Sequence, residues 1–146
     1  MVYPVNAIKF KIGLNGRGSS PESMAEVADM ETFGVSFDSG VVSWNPLTEG
    51  GWARRLVTGK SVAISLKGKR NYGDPGNDYV ASLAYAGGEA ASTVLSAVFP
   101  DGSSLTMDCV VNVKSSDGGG ASDVSALEFE ALSDGEPVYT AGGAQQ

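Results

Sequence analysis

The sequence contains no histidine, only one cysteine and no long apolar run. Without histidine, the commonest general base and the commonest metal ligand are missing, and Ser-His-Asp and Cys-His catalysis are excluded. The single cysteine, Cys109, excludes an internal disulfide. No apolar stretch approaches the roughly 20 residues of a membrane-spanning helix, and the N-terminal sequence lacks the apolar core of a signal peptide. These absences argue against an enzyme and predict a protein that folds in the cytoplasm and has no membrane partner.

Positive charge is also scarce, with 10 Lys and Arg against 17 Asp and Glu, a net charge of −7 and a pI near 4.4. This balance argues against wrapping nucleic acid. It fits either solubility alone or a surface to which DNA should not adhere. Six of the ten cations lie between Arg54 and Arg70, within the longer stretch 41–79 that also holds both tryptophans.

A chain of 146 residues is long enough for one domain with a sizeable core. We therefore expect a single domain over residues 1–146, with an N-terminal arm (1–4) and a flexible C-terminal tail (141–146).

Alternating apolar and polar residues predict a mainly β fold. The predicted strands are residues 5–14, 33–37, 41–44, 61–69, 91–100, 105–113 and 124–132. Residues 38–40 predict a hairpin turn, residues 45–58 a long connection, and residues 115–123 a flexible loop. One helix is predicted, with Asp74 as N-cap, Pro75 at its first position and Gly87-Gly88 at its end. The expected architecture is a two-sheet β-sandwich or barrel with one flanking α-helix.

Two motifs that could bind a ligand fail on inspection, so neither a cofactor nor a metal site is predicted. The Thr58–Ser61 tetrapeptide ends like a phosphate-binding loop, but Arg54 stands where that motif needs its first glycine, and a strand follows where it needs a helix. Asp117 and Asp123 lie among glycines, but a calcium loop would require a closing glutamate and more carboxylates.

Three further groups have a structural interpretation beside a functional one. The cluster Lys67, Lys69, Arg70 and Tyr72 could contact a nucleic-acid backbone, but the acidic chain favours a solvated strand end or a salt bridge to a neighbouring subunit. Cys109 lies among the apolar residues of a strand and is predicted to be in the core. The carboxylates of Glu128 and Glu130 share a strand face, where an acidic surface is a simpler interpretation than catalysis.

Both tryptophans could belong either to the core or to an interface. Trp52 lies between Gly51 and the pair Arg54-Arg55 in a long predicted loop, a setting that favours an interface anchor. The predicted residues for ring stacking or subunit contact are Trp44, Trp52, Arg54, Arg55 and Lys60.

The segment GGWARRLVTGKSVAISLKGKRNYGDPGNDYVASLA resembles the core signature of major tail proteins, the tail tube proteins of long, flexible-tailed bacteriophages. The matching pieces are Gly51-Trp52, the Thr58–Ser61 tetrapeptide entering a strand, Lys67-Gly68-Lys69-Arg70, and residues 73–77. The order of these pieces carries the resemblance, which covers about residues 33–88.

This resemblance implies a tail tube fold, a two-sheet β-barrel with a flanking helix. It implies hexameric rings that stack into a hollow tube for DNA ejection, stacking through residues 45–60 and both termini, and a place in the virion tail. It also implies a tape measure protein and tail terminator and tip proteins as partners. In that family the inner strands join into one channel, whose lumen we expect to be acidic so that DNA passes without binding. The candidate lumen residues, on strands expected to line the channel, are Glu26, Asp29, Glu31, Glu128 and Glu130.

Two other functions stay open. The chain could be the tube subunit of a contractile injection or secretion machine, or a small ligand-binding β-barrel. Self-assembly at high concentration would separate both kinds of tube from the ligand-binding barrel.

Overall fold

The computed structural model describes residues 2–142, which form an antiparallel β structure with one α-helix. The strands are β1 (Lys9–Gly13), β2 (Met24–Ala25), β3 (Met30–Trp44), β4 (Arg54–Lys69), β5 (Ser92–Val98), β6 (Ser104–Gly118), β7 (Ala126–Ser133) and β8 (Val138–Thr140). The helix α1 (Pro75–Ser82) lies between β4 and β5. Short 3-10 turns occupy Val5–Ala7, Gly16–Gly18, Pro21–Ser23, Leu47–Glu49, Leu83–Tyr85 and Gly88–Ala91. Of the predicted N-terminal arm and C-terminal tail, residue 1 and residues 143–146 lie outside the described part.

The strands form one rolled sheet. The pairing order is β2-β1-β5-β6-β7-β4-β3, and β8 pairs with β6 beyond the end of β7. The two ends of this path approach each other where Phe10 of β1 stacks on Phe33 of β3, with ring centroids 5.5 Å apart. The prediction of a mainly β fold with one α-helix is confirmed, and the two predicted layers are the two sides of this single rolled sheet.

The concave side of the roll holds the core. Alternate residues of β4, β6 and β7 point inward, as the period of two requires. Among the buried side chains are Ile12, Ile64, Leu66, Leu95, Met107, Cys109, Val111, Leu127 and Phe129. Helix α1 packs Val80 and Ala81 against this core, and Leu83 of the following turn joins them. The core position predicted for Cys109 is confirmed.

The start of α1 follows its predicted capping pattern. Asp74 is the N-cap, its side chain accepts a hydrogen bond from the Asn77 backbone N–H at 3.0 Å, and Pro75 occupies the first turn. The helix ends at Ser82, earlier than the predicted end at Gly87-Gly88, because its last turn tightens into the 3-10 turn Leu83–Tyr85.

Asn77 joins α1 to the sheet. Its buried side-chain oxygen accepts hydrogen bonds from Arg70 Nη1 at 2.9 Å and from the Asn71 backbone N–H at 3.0 Å. Its amide nitrogen donates to the carbonyl oxygens of Ala28 and Lys69, both at 3.0 Å. All the hydrogen-bonding capacity of a buried amide is used, so Asn77 fixes the start of β3 and the end of β4 to the helix.

The predicted turn at residues 38–40 and the predicted connection over residues 45–58 are wrong. β3 runs through residues 38–40 without turning, and β4 begins at Arg54, so only residues 45–53 connect the strands. The irregularity at Gly40 is a β-bulge. The pairing shifts there from Gly40↔Gly59 to Val41↔Val57, which leaves Thr58 without a partner residue on β3. Glycine is common at bulges as well as at turns, and local propensity does not separate the two.

Other strand boundaries also differ from the predictions. The predicted strand over residues 5–14 is shortened to β1, because Val5–Ala7 form a 3-10 turn. The predicted loop over residues 115–123 is reduced because β6 pairs with β7 as far as Gly118.

We predict that Leu127→Ala lowers the free energy of unfolding by about 2–5 kcal/mol, since removing most of a fully buried side chain leaves a cavity in the core. The matched control on the same strand is Leu132→Ala, whose side chain faces solvent and should cost about 1 kcal/mol or less. Urea denaturation followed by circular dichroism measures both. Equal losses at the two positions would contradict the assignment of the concave face as the core.

Candidate assembly surface

The outer parts of β3 and β4 form a two-stranded ribbon, defined here as residues 38–61 with its connecting tip. β7 pairs with β4 only from Ala63 to Lys69, so the ribbon strands pair only with each other among the described strands. From residue 36 to residue 61 no side chain is buried, and only Pro46 is partly covered. An isolated two-stranded hairpin is marginal in water, so this ribbon gains little stability from its own pairing.

Both faces of the ribbon carry apolar side chains. Val42 lies opposite Leu56 on one face, and Val41 lies opposite Val57 on the other. All four side chains are more than half exposed. A strand at a protein surface normally has polar residues on its solvent side. An exposed apolar patch on this scale marks an interaction surface. Covering one face alone would leave the other in water.

The tip of the ribbon presents two large apolar side chains. Leu47 is 101% exposed and Trp52 is 79% exposed. The turn between them uses Gly50 and Gly51, whose φ angles of 60° and 90° lie in the left-handed region that glycine adopts without strain. The core alternative for Trp52 is therefore excluded within this chain, and Trp52 has the exposure that an interface anchor needs.

All five residues predicted to contact other subunits lie on the ribbon. The Arg54 guanidinium is 5.8 Å from the ring centroid of its cross-strand partner Trp44. Arg55 and Lys60 are exposed on the same strand, and Trp52 lies at the tip. Their assignment to ring stacking stays a prediction, since only their position and exposure follow from the fold.

The ribbon is basic in an acidic protein. It contains Arg54, Arg55 and Lys60 against Asp38 and Glu49, a net charge of +1. The whole chain carries −7, so the rest carries −8. A second copy of the same chain is thus an electrostatically favourable partner for the ribbon.

Two of the candidate lumen residues lie on the convex, solvent side of the sheet. Glu128 and Glu130 alternate with the buried Leu127 and Phe129 of β7. Glu130 accepts a hydrogen bond from Asn112 Nδ2 at 3.2 Å, and its other oxygen is 3.6 Å from Lys114 Nζ. Glu128 is the cross-strand partner of Lys67. This face therefore carries carboxylates and ammonium groups side by side.

The other three candidates lie near the end of the sheet remote from the ribbon. Glu31 of β3 forms an ion pair with Lys69, with Oε1 and Nζ 3.6 Å apart. The placement of Glu26 and Asp29 on strands is wrong, because both lie in the connection between β2 and β3. The local reason at Asp29 is a φ of 63°, which a strand does not permit, and its carboxylate accepts a hydrogen bond from Asn71 Nδ2 at 2.5 Å.

The basic cluster at the end of β4 is largely paired within the chain. Arg70 Nη1 is 2.8 Å from Asp78 Oδ1, and its guanidinium lies 4.1 Å from the ring centroid of Tyr72. The Tyr72 hydroxyl donates to Asp117, and this hydrogen bond raises the pKa of Tyr72 and lowers that of Asp117. The expectation of a solvated strand end is thus wrong for Arg70, whose side chain is 9% exposed.

β3 is also an edge strand. Over its 15 residues it pairs only with β4 among the described strands, so its outer side presents unpaired backbone N–H and C=O groups. A long edge is a template for pairing with another chain. The ribbon and this edge belong to the same strand, which places an exposed apolar surface and an unpaired strand edge next to each other.

The described residues contain no cluster of three or more His, Cys, Asp or Glu side chains arranged to hold a metal ion. Over the same range no helix has the length and apolar character needed to cross a bilayer. Burial raises the pKa of the Cys109 thiol to about 12, with a smaller contribution from Asp108. The thiol is therefore neutral at ordinary pH and is not poised as a nucleophile.

Comparison with solved structures places this architecture among the tubes of phage-like particles, and the chain has a tail tube fold. A chain from the tail of an empty gene transfer agent (GTA) particle with C6 symmetry is similar over 96% of this chain and 100% of its own length, with a TM-score of 0.76 and 19% identity. A chain of the native GTA virion matches with the same coverage, a TM-score of 0.72 and 17% identity. A chain from the sheath-tube complex of an extracellular contractile injection system covers 96% of this chain and 92% of its own, with a TM-score of 0.56 and 13% identity. No protein-family model and no curated protein matches the sequence.

We predict that Cys109 resists alkylation by iodoacetamide at pH 8 in the folded protein and reacts fully in 6 M guanidinium chloride, where its pKa returns to the usual value of about 8.5. Mass spectrometry counts the modified fraction. Because the folded pKa is raised, the thiol's contribution to stability is complete below about pH 9 and is lost as the pH rises toward 12. Rapid alkylation under native conditions would show that β6 opens at this position.

Proposed function

We propose that this protein is a non-enzymatic structural virion protein that assembles into stacked hexameric rings. The stack forms a tail tube through which DNA leaves the particle. The observation that carries the proposal is the ribbon, whose two apolar faces have no cover within the chain, on a domain with a tail tube fold. The C6 symmetry of the similar GTA tail supports six subunits per ring.

The ribbon supplies the main contact between copies in this proposal, with Trp44, Trp52, Arg54, Arg55 and Lys60 at the interface. The free edge of β3 supports a second contact, in which sheets of neighbouring subunits join side by side within a ring. A subunit with two such surfaces can extend both around the ring and along the tube.

The convex face of β4, β6 and β7 is the candidate channel wall. Its side chains are mostly polar, apart from residues such as Val110 and Leu132, and Glu130 and Glu128 lie beside Lys114 and Lys67. Glutamates that neutralise these lysines leave no excess positive charge to hold DNA phosphates. Glu31, Glu26 and Asp29 lie at the end of the sheet remote from the ribbon, where they would contribute at one mouth of the channel.

The partners of such a tube would be a tape measure protein inside it and terminator and tip proteins at its ends. Similar structures include the tube terminator of a contractile injection system and a tube-terminating cap, which supports a capped tube. The protein would be made in the host cytoplasm and reside in the virion tail.

The second candidate is the tube subunit of a contractile injection system. The observation in its favour is the likeness to the sheath-tube complex, with a TM-score of 0.56. The GTA tail is the more similar structure at 0.76. A contractile tube must also bind a sheath, so co-assembly with a sheath protein would favour this candidate.

We predict that the purified protein forms rings or hollow tubes in negative-stain electron microscopy as its concentration is raised. Trp52→Ala should raise the concentration needed for assembly about thirtyfold, the usual effect of removing an aromatic hot spot. The control is Tyr85→Ala, which removes an even more exposed aromatic side chain outside the ribbon. A wild-type chain that stays monomeric at every concentration up to the millimolar range would contradict the proposed function.

We predict that reversing both charges in Glu128→Lys/Glu130→Lys slows DNA ejection from particles built with the double variant, and that the slowing is strongest at low salt. Reversal leaves Lys67 and Lys114 unneutralised and adds two further cations. The control is Glu22→Lys/Glu89→Lys, which makes the same change in net charge at exposed positions outside both the ribbon and the convex face. Ejection at the wild-type rate in the first variant would remove these glutamates from the channel wall.

A further inference from the structure

An open apolar groove of ≈740 Å³ lies at the root of the ribbon. Its lining includes the inward-facing Val35, Val62 and Leu105 of the sheet, together with Phe99, Pro100 and Tyr139. Tyr139 belongs to β8, and Phe99 and Pro100 belong to the connection between β5 and β6. An apolar groove that is open to water beside the ribbon is a candidate contact surface for another molecule.

Two polar residues of the groove, Asp101 and Ser103, are already paired with each other. Asp101 Oδ1 accepts hydrogen bonds from the Ser103 backbone N–H at 2.9 Å and from Ser103 Oγ at 2.6 Å. This contact lowers the pKa of Asp101, so its carboxylate is ionised at neutral pH. A small-molecule site typically aims several unpaired polar groups at its ligand. An apolar protein segment with a positive charge beside it fits this groove better.

The ribbon tip has those properties. Leu47 and Trp52 are the apolar side chains, and Arg54 and Arg55 follow within three residues of Trp52. On the groove side, Asp101 lines the wall, and Glu136 directly precedes Pro137, which also lines it. The signs of charge are opposite, as in an interface that steers its partner into register.

The occupant is a second copy, because the tip of the same copy is exposed to water. Seven residues from Asp38 to Trp44 span roughly 23 Å, at about 3.3 Å per residue. A domain of this size has a radius of gyration of about 15 Å. A ribbon can therefore reach well across a neighbouring domain. Because tip and groove are different surfaces of one chain, the contact is heterologous and repeats from copy to copy.

We infer that the groove of one copy holds the ribbon tip of a second copy, with Trp52 and Leu47 seated between Pro100 and Tyr139. This inference rests on the proposed tube function and names its contact. Every copy donates one tip and offers one groove, so the interaction continues along the assembly until a copy lacks one of the two.

Two variants that each keep half of the contact test the inference in the full-length protein. In the tip-less variant, residues 45–53 are replaced by Asn-Gly, a two-residue connection that closes a hairpin while keeping the Trp44↔Arg54 pair. In the groove variant, Tyr139→Arg places a cation where Arg54 and Arg55 of the other copy would approach. Each variant alone should form no tubes, and an equimolar mixture should form a 1:1 complex in sedimentation velocity. Tyr85→Arg, outside the groove, should assemble like the wild type.

The outcomes separate the inference from the proposed function. Wild-type tubes together with no 1:1 complex in the mixture, or tubes formed by Tyr139→Arg at the wild-type concentration, would overturn the groove contact and leave the tube function standing. Uptake of an apolar dye by the tip-less variant without binding of the groove variant would indicate a ligand groove instead. Thermal unfolding checks that each variant is folded, and Pro100→Arg replaces Tyr139→Arg if the latter is not. A wild-type chain that never assembles overturns both proposals.

Discussion

A two-stranded β-ribbon has no second layer of structure to cover its side chains, and the rest of the molecule's architecture depends on this constraint. In the rolled sheet, Val62, Ile64 and Leu66 of β4 are buried because β7 and the opposite wall enclose them. A few residues earlier on the same strand, Leu56 and Val57 have nothing to pack against. The strand carries large apolar residues in its core part and in its exposed part alike. In the proposed tube, a neighbouring copy supplies the layer that covers the exposed part.

The other end of the same strands is fixed by a polar network. The side-chain oxygen and nitrogen of Asn77 each form two hydrogen bonds. These bonds connect α1 to the end of β4 and to the segment just before β3. A buried amide with every hydrogen bond satisfied holds a backbone geometry that apolar packing alone would leave adjustable. β3 and β4 are therefore held firmly at one end and project at the other. This arrangement aims the ribbon in a definite direction from the domain.

The sequence predicts the domain better than the ribbon, for a physical reason. Alternation along β4 and β7 identifies Ile64, Leu66 and Phe129 because burial on one face imposes a period of two. The cap at Asp74 is predictable because it depends on residues only three positions apart. A glycine at position 40 is equally typical of a turn and of a bulge, and only the long-range pairing of β3 with β4 decides between them. The apolar pairs Val41-Val42 and Leu56-Val57 on either side of the tip were the signal for a continuous ribbon.

The exposure of the candidate site was predicted in outline. The concentration of Trp52, Arg54 and Arg55 in one stretch identified a segment that the structure exposes, because large apolar and cationic residues together are typical of interfaces. Their role in subunit contact stays a prediction. The groove could not be predicted, since it joins β3, β4 and β8 with the connection after β5, and those segments are far apart in sequence. The strand placement of Glu26 and Asp29 failed because nothing in their local sequence shows the left-handed backbone at Asp29.

The bulge at Thr58 has a consequence for the fidelity of assembly. Next to the Gly40↔Gly59 pair, the bulge sets the pairing of the two ribbon strands, and a slip of one residue would exchange the two faces of one strand. A copy with slipped strands would present Ser43 and Arg55 where its neighbours offer a place for aliphatic side chains. In the proposed tube, such a copy would pack poorly against its neighbours even though its domain is folded. Assembly would then select the subunits whose ribbon strands are correctly paired.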